Sequence, residues 1–343
     1  MLSATFRSVC FPSPTNHHHA IVPMLSLLRN LPDYAYAGAA YFFSKTFHRP
    51  SMVKLTPLED ITVLTPLVTR VLGQNAGPFT LQGTNTYLVG AGKRKILIDA
   101  GEPNIESYIE TLKKALSDGS TIDGIIATHW HGDHVGGIPD VLKLIGKEVP
   151  VYKYKRLEAA DDPKVNYTFS DDNTVIKTDG ATLKLIYTPG HTTDHFSVYL
   201  EEENILFSGD CILGEGTAIF EDLHTYMDSL NKYLEIKAAR IFPGHGPVVE
   251  DPHSKINEYI EHRLKRERQI IASLRESASP LSTMDIVNSI YTDIPITVKL
   301  AAVANVKHHL TKLVKDGQVT ALPYDTYSLV VSTTTESGER PSL

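Results

Sequence analysis

The chain has 343 residues, 42% of them hydrophobic and 21% charged, with a formal net charge of -7. That is enough for one large domain or two smaller ones, and the acidic total excludes a molecule matched over its whole surface to nucleic acid. Two cysteines, Cys10 and Cys211, exclude a disulfide framework and make a reducing compartment the default, and no apolar run reaches the roughly 18 residues of a membrane span.

Residues 1–52 differ in composition from the rest: Asp33 is the only acidic residue before Glu59, against Arg7, Arg29, Lys45 and Arg49. This fits a mitochondrial transit peptide, and also a disordered extension or a later start at Met52. The expected location is mitochondrial or cytoplasmic, with no stable membrane association. The triplet His17-His18-His19 has nothing nearby to complete a ligand set.

From Ile61 the pattern is strand-like, at Thr62-Val63-Leu64 and over 68–72. A loop rich in Gly and Pro over 73–83 leads to two alternating runs, 84–89 and 95–99, that read as an antiparallel hairpin. A helix is predicted over 105–117, with Tyr108, Leu112 and Leu116 on one stripe. The apolar run 122–127 predicts a strand that delivers Thr128-His129-Trp130-His131-Gly132-Asp133-His134 into a tight turn. A second helix is expected over 138–145.

The second half repeats this logic. Strand 184–188 breaks at Pro189-Gly190, and His191 follows; 197–200 and 204–208 form a hairpin ending at Gly209-Asp210. A helix over 223–234 precedes Arg240-Ile241-Phe242, which leads into Pro243-Gly244-His245-Gly246. Helices over 256–276, 282–291 and 300–315, then strands over 318–322 and 328–331, give a winged-helix-like order. The expected units are an extension (1–52), a catalytic domain (58–252), a winged-helix-like domain (253–332) and a disordered tail (333–343).

His129, His131, Asp133, His134, His191, Asp210 and His245 each follow a predicted strand and lie beside glycine. Rigid strands position such residues, and glycine removes steric cover so that a ligand can approach. Imidazole with carboxylate oxygen is a metal-ligating set.

The motifs Thr-His-Trp-His-Gly-Asp-His, Thr-Pro-Gly-His, Ser-Gly-Asp and Pro-Gly-His-Gly, in this order, resemble the metallo-β-lactamase superfamily over about residues 60–250. The resemblance implies an α/β fold, an αββα sandwich with a dinuclear metal site at one sheet edge. It assigns His129, His131 and His191 to one ion and Asp133, His134 and His245 to the other, with Asp210 bridging. Two Zn2+ are expected first, with Mn2+ or Fe also suited to this donor set. The reaction implied is hydrolysis by a metal-bridging hydroxide, with Asp133 orienting it. Asp99 is expected to fix a ligand imidazole through its other nitrogen. His195 is read either as a proton donor to the leaving group or as a strand-edge residue. Asp194 is read as a support for the ligands, and Cys211 as packing.

The stretches 70–87 and 201–217 are similar to the beta-lactamase-like protein 2 group, whose animal members are mitochondrial endoribonucleases acting on single-stranded RNA. The first stretch also resembles fungal lactamase-like thioesterases that release polyketides from an acyl carrier protein. Under the RNA reading, the basic residues of His262-Arg263-Leu264-Lys265-Arg266-Glu267-Arg268, with Lys307, His308, His309, Lys312 and Lys315, would form a phosphate-binding face. Asn85 and Tyr87 are placed near the cleft, Asn85 as a substrate contact and Tyr87 equally as core. A non-enzymatic module that keeps metals for stability needs fewer ligands than these seven.

Overall fold

The structure, a computed structural model, describes residues 55–292 and 296–330. The expectations for residues 1–52 and 333–343 lie outside the described residues.

Strands β1 (Ile61–Val63), β2 (Val68–Leu72), β3 (Asn85–Val89), β4 (Arg94–Ile98), β5 (Thr121–Ile126), β6 (Val151–Lys153) and β7 (Tyr167–Phe169) lie in chain order in one sheet. The first four pair antiparallel, and β4 to β7 pair parallel. Helix α1 (Glu106–Ala115) connects β4 to β5, and α2 (Gly132–Val135) and α3 (Ile138–Ile145) connect β5 to β6. The second sheet has the order β12 (Arg240–Pro243), β11 (Ile205–Gly209), β10 (Phe196–Leu200), β9 (Ala181–Tyr187), β8 (Val175–Thr178). Only its β11–β12 pair is parallel, with α4 (Leu223–Ile236) as the crossover.

The period-two alternation of the strands builds four layers. Ile96 and Ile98 point between the sheets, where they meet Val198, Ile205, Phe207 and Phe242. Leu97, on the opposite face, packs with Tyr108 and Leu112 of α1 and with Ile138 and Val141 of α3. Leu206 and Ile241 face outward from the second sheet onto Leu223, Tyr226 and Leu230 of α4. Each fully buried aliphatic or aromatic side chain of this kind stabilises the fold by about 1.5–3 kcal/mol.

Helix α5 (Pro252–Glu276) begins with an Asp251 cap and Pro252 in its first turn. It serves two cores. Ile256 and Tyr259 pack on the second sheet's helical layer, while Ile270 and Leu274 pack with Ile286 and Val287 of α6 (Thr283–Ile290) and Val306, Leu310 and Leu313 of α7 (Ile296–Lys315). A Ser282–Asp285 capping box starts α6. Strands β14 (Val319–Leu322) and β15 (Thr326–Leu329) form the wing, and β13 (Leu281–Ser282) adds a short third strand beside β15. No described helix is long and apolar enough to cross a membrane.

Candidate metal centre

The parallel pairing of β4 with β5 brings Asp99, one residue beyond Ile98, to Thr128, two residues beyond its register partner Ile126. Asp99 has φ 59°, a left-handed conformation that aspartate tolerates better than most residues. Its carboxylate accepts hydrogen bonds from the Thr128 amide (2.8 Å) and hydroxyl (2.9 Å). The chain bends at His129 and Trp130, and α2 begins at Gly132. The expected tight turn is therefore a single helical turn, which presents Asp133 and His134. His191 follows β9 through Gly190, whose φ is +130° and where a Cβ would come within 2.3 Å of the Tyr226 Cα. Only glycine lets α4 approach the ligand loop this closely. A Cβ on Gly244 would sit 2.3 Å from Asp210 Oδ1, so that glycine makes room for the carboxylate.

The seven predicted ligands converge in two groups, His129, His131, His191 and Asp210 in one and Asp133, His134 and His245 in the other. His129 Nε2 is 2.9 Å from His131 Nδ1, and His191 Nε2 is 3.3 Å and 3.1 Å from those two atoms. In the second group, Asp133 Oδ2 lies 3.2 Å from both His134 Nε2 and His245 Nε2. Asp210 stands between the groups: Oδ2 is 3.3 Å from His245 Nε2 and 3.7 Å from His191 Nε2, and Oδ1 is 3.5 Å from His134 Nε2.

The donors fit metal ions. His191 Nδ1 donates to the Ile219 carbonyl (2.8 Å), and the Thr128 hydroxyl, itself donating to Asp99, faces His129 Nδ1 (3.0 Å). Both imidazoles are thereby set with the Nε2 lone pair toward His131 Nδ1. Lone pairs this close repel unless a cation lies among them, and tetrahedral zinc with Zn–N of about 2.0 Å spaces its nitrogens by about 3.3 Å. In the second group, His134 Nδ1 donates to Asp99 Oδ2 (2.7 Å), while His134 Nε2 and Asp210 Oδ1 are buried without a hydrogen-bond partner. Buried polar atoms are seldom left so, and a cation satisfies both. The Asp99–His134 pair also orients the ligand ring and raises its basicity.

Asp99→Asn is expected to weaken metal binding by about 10–100-fold while the fold persists, because asparagine also tolerates the left-handed backbone. The amide either opposes the Thr128 N–H with its own N–H or lets His134 keep its proton on the metal-facing nitrogen. Metal titration of the variant checks this, and wild-type affinity would rule out the support assigned to Asp99.

Burial, reinforced by the neighbouring imidazoles, holds His129 far below its usual value and lowers His131 to about 3, so both are neutral. At His245 burial opposes the charged form, but the Asp210 and Asp133 carboxylates outweigh it and lift the group to about 9. At His134 burial is likewise outweighed by Asp133, Asp99 and Asp210. Asp133 and Asp210 lie below the carboxylate range despite burial, because these imidazoles face them. A metal entering the second group therefore displaces protons, and its affinity is expected to rise from about pH 6 to about pH 9. For the metal-free fold, the raised His245 contributes stability that is complete below about pH 6.5 and is lost as pH passes 9. The depressed carboxylates contribute stability above about pH 4 that is lost in acid, but the depressed imidazoles of His129, His131 and His195 cost stability as pH falls below about 6.5, so the metal-free optimum lies near pH 6.5 and not in the acid range. Calorimetric titrations in buffers of different ionisation enthalpy measure the released protons; a pH-independent affinity with no release would contradict this linkage.

Two other sequence expectations change, those for Asn85 and Asp194, and the two left open, for Tyr87 and His195, resolve to core and strand edge. Asn85 is buried, and its Nδ2 donates to the carbonyls of Pro243 (2.9 Å) and Gly246 (2.8 Å). It pins the His245 loop from inside and has no surface for substrate. The Tyr87 hydroxyl donates to the Pro243 carbonyl (2.6 Å) and its ring lies in the inter-sheet core. Asp194 faces Lys153 Nζ at 2.5 Å and accepts from the Thr192 hydroxyl at 2.8 Å, so its partner is a lysine of β6 and not a ligand imidazole. His195 has no exposed surface; its Nδ1 meets the Thr188 hydroxyl at 2.9 Å and its ring centroid is 5.4 Å from that of His129. Burial holds it at about 3. It supports the ligand layer from behind and is not placed to reach a leaving group. Cys211 is fully buried and burial pushes its thiol up to about 12, in keeping with packing.

Part of the basic tail is paired with carboxylates. Arg263 is buried and donates to the Ala218 carbonyl (2.9 Å); Lys312 pairs with Glu267 (3.1 Å) and Asp316 (2.7 Å), Lys315 with Asp222, and Arg268 with Glu261 (3.2 Å). These charges hold the C-terminal domain to itself and to the catalytic domain, while Lys265 stays exposed and Arg266 lies over the Tyr291 ring (4.2 Å). One functional contact was missed altogether. The Thr84 hydroxyl donates to Asp133 Oδ2 (2.8 Å). Its only signal in the sequence was its place in the loop before β3.

Comparison with known proteins agrees with this geometry. Residues 79–245 match the Metallo-beta-lactamase superfamily model, and residues 282–323 match the beta-lactamase associated winged helix domain. A Beta-lactamase-like protein 2 homolog of Caenorhabditis elegans is 54% identical over 81% of this chain and 95% of its own length. An Atrochrysone carboxyl ACP thioesterase of Aspergillus chevalieri is 38% identical over 78% of this chain and 87% of its own. The crystal structure of a beta-lactamase domain protein from Burkholderia ambifaria superposes with a TM-score of 0.68 at 17% identity, covering 82% of this chain and 96% of that one, and shares the fold. With its two mixed sheets, its appended winged helix and its paired His/Asp clusters, the chain belongs to the metallo-β-lactamase superfamily of hydrolases.

Proposed function

We propose that this hydrolase is an endoribonuclease that cleaves phosphodiesters of single-stranded RNA, with two zinc ions held by His129, His131, His191, Asp133, His134, His245 and the shared Asp210. The observation that carries the choice of substrate is the lining of the cavity that includes Arg156, the residue stacked on the Trp130 next to His131. Lys155, Arg156, Asp161 and Asp162 share that lining with Tyr167 and Phe169. A charged and aromatic wall suits a polar, base-bearing chain better than an acyl chain. The 54% identity to a Beta-lactamase-like protein 2 homolog supports the same branch.

Bound divalent ions supply Lewis acidity and lower the pKa of a coordinated water. Asp133 is the catalytic carboxylate of the chain. The Thr84 hydroxyl donates to its Oδ2, which fixes the carboxylate beside His134 and His245, where it would orient a water supplied by a bound metal ion. Asp99, Thr128 and the Ile219 carbonyl fix the imidazole rings, so no reorganisation is needed as charge develops on the phosphoryl oxygens.

The fungal thioesterase at 38% identity makes release of an acyl or polyketide chain from a carrier protein the second reading. Both are tested by incubating the protein with end-labelled single-stranded RNA and, separately, with an acyl thioester, each with and without chelator. RNA cleavage is expected to stop with chelator and to return with zinc. Thioester turnover with intact RNA would overturn the RNA reading in favour of the thioesterase.

A further inference from the structure

Beside the metal centre, at the β7 edge of the first sheet, lies a cavity of about 370 Å³ that no ligand, fold or core role explains. The Arg156 guanidinium stacks 4.0 Å above the Trp130 ring, and that ring lies 4.6 Å from the His131 ring, so one aromatic side chain separates a cation from a metal ligand. A stacked guanidinium keeps the donors in its plane free for an oxyanion. Here Nε is buried without a hydrogen-bond partner; Glu158 makes only a long ion pair with it at 3.9 Å, and Glu221 acts on the same guanidinium through its charge. The opposite wall is aromatic. Tyr167 and Phe169 occupy alternate positions of β7 and stack with centroids 6.2 Å apart, Lys155 Nζ lies 5.9 Å from the Phe169 ring, and Phe169 is 49% exposed. A large aromatic ring left half in water at a sheet edge, with a cation beside it, is a stacking platform for a base. Of the acidic residues of the wall, Asp161 pairs with the buried Lys153 at 2.7 Å, while the exposed Asp162 accepts the Lys164 amide at 2.9 Å and keeps its charge, so the phosphate is assigned to the Arg156 and Lys155 side of the cavity.

We infer that this cavity is a nucleotide subsite next to the scissile bond, with Phe169 and Tyr167 taking a base and Arg156 and Lys155 taking its phosphate. The inference rests on the RNA reading above and deepens it. The same phosphodiester chemistry occurs in the phosphopantetheine arm of an acyl carrier protein, but that arm has no base for the aromatic wall.

A substrate-length experiment tests it. Wild-type protein is expected to have a KM for an oligouridylate about tenfold below that for the uridine dinucleotide, because the longer strand reaches the platform. Phe169→Ala and Arg156→Gln are each expected to remove most of that advantage, and Phe169→Trp, which keeps a flat face, to retain it. An unchanged length advantage in both variants, or an equal loss on both substrates, would overturn the subsite and leave RNA cleavage standing. If the wild type leaves RNA intact and turns over a carrier-protein thioester, the RNA reading falls and the subsite with it.

Discussion

Alanine in place of Asp210 is expected to lower hydrolysis by roughly a thousandfold or more and to reduce bound metal from two ions to one or none. The carboxylate is the one group that faces both ligand clusters, within 3.3–3.7 Å of His245, His191 and His134. Two dications held a few Å apart repel by on the order of 10 kcal/mol or more at an effective dielectric of about 20. An anion between them offsets much of this. Losing any one imidazole removes a donor from one ion only. Losing Asp210 removes a donor from both and the charge that lets them coexist. Asp210→Asn separates the two effects, since it preserves shape and removes charge. Elemental analysis of the purified variants alongside their hydrolytic activity measures both quantities. Two retained ions with activity within tenfold of wild type would contradict the bridging role.

The ligand set was legible in the sequence for a physical reason. Each ligand sits where a strand ends and glycine opens the backbone, and that coincidence of apolar run, glycine and imidazole is a local signal. Asp99 was legible on the same grounds. The winged-helix order followed from the order of periodic segments, whereas the αββα layers were implied by the family resemblance. What was illegible depends on contacts distant in sequence or on elements too short to show a period. Strands β6 and β7 have three residues each and β8 four, fewer than one can distinguish from loop by alternation. The wall of the cavity therefore had no outline before the fold placed Arg156 on Trp130. In the basic tail the pairing of Lys315 with Asp222 of the catalytic domain was illegible, because the two lie far apart in sequence. Asp194 misled. It was read as a support for the ligands, and its partner instead is a lysine from the other sheet.

That partner carries the second large effect. Lys153→Met is expected to destabilise the protein by about 3–5 kcal/mol, because it leaves buried carboxylates without a counter-charge. Lys153 is fully buried. Its ammonium lies 2.5 Å from Asp194 Oδ2 and 2.7 Å from Asp161 Oδ1, and donates to the Tyr154 carbonyl at 3.1 Å. Asp194 is itself fully buried, so water cannot replace the lost cation there, whereas Asp161 lies nearer the surface. For a catalytic domain of this size the loss corresponds to a melting temperature lower by about 10 °C. Asp194→Asn in the Lys153→Met background is expected to recover much of it, since an amide can stay buried beside the Thr192 hydroxyl at far smaller cost. The triad also ties β6 to the loop that carries His191, three residues before Asp194. The single variant should therefore lose metal from the His129, His131 and His191 group before it unfolds. Thermal melts of the two single variants and the double, each with and without added zinc, resolve the pair energy. Additive losses, or a cost below about 1 kcal/mol for Lys153→Met, would mean that the ion pair does not anchor the ligand loop.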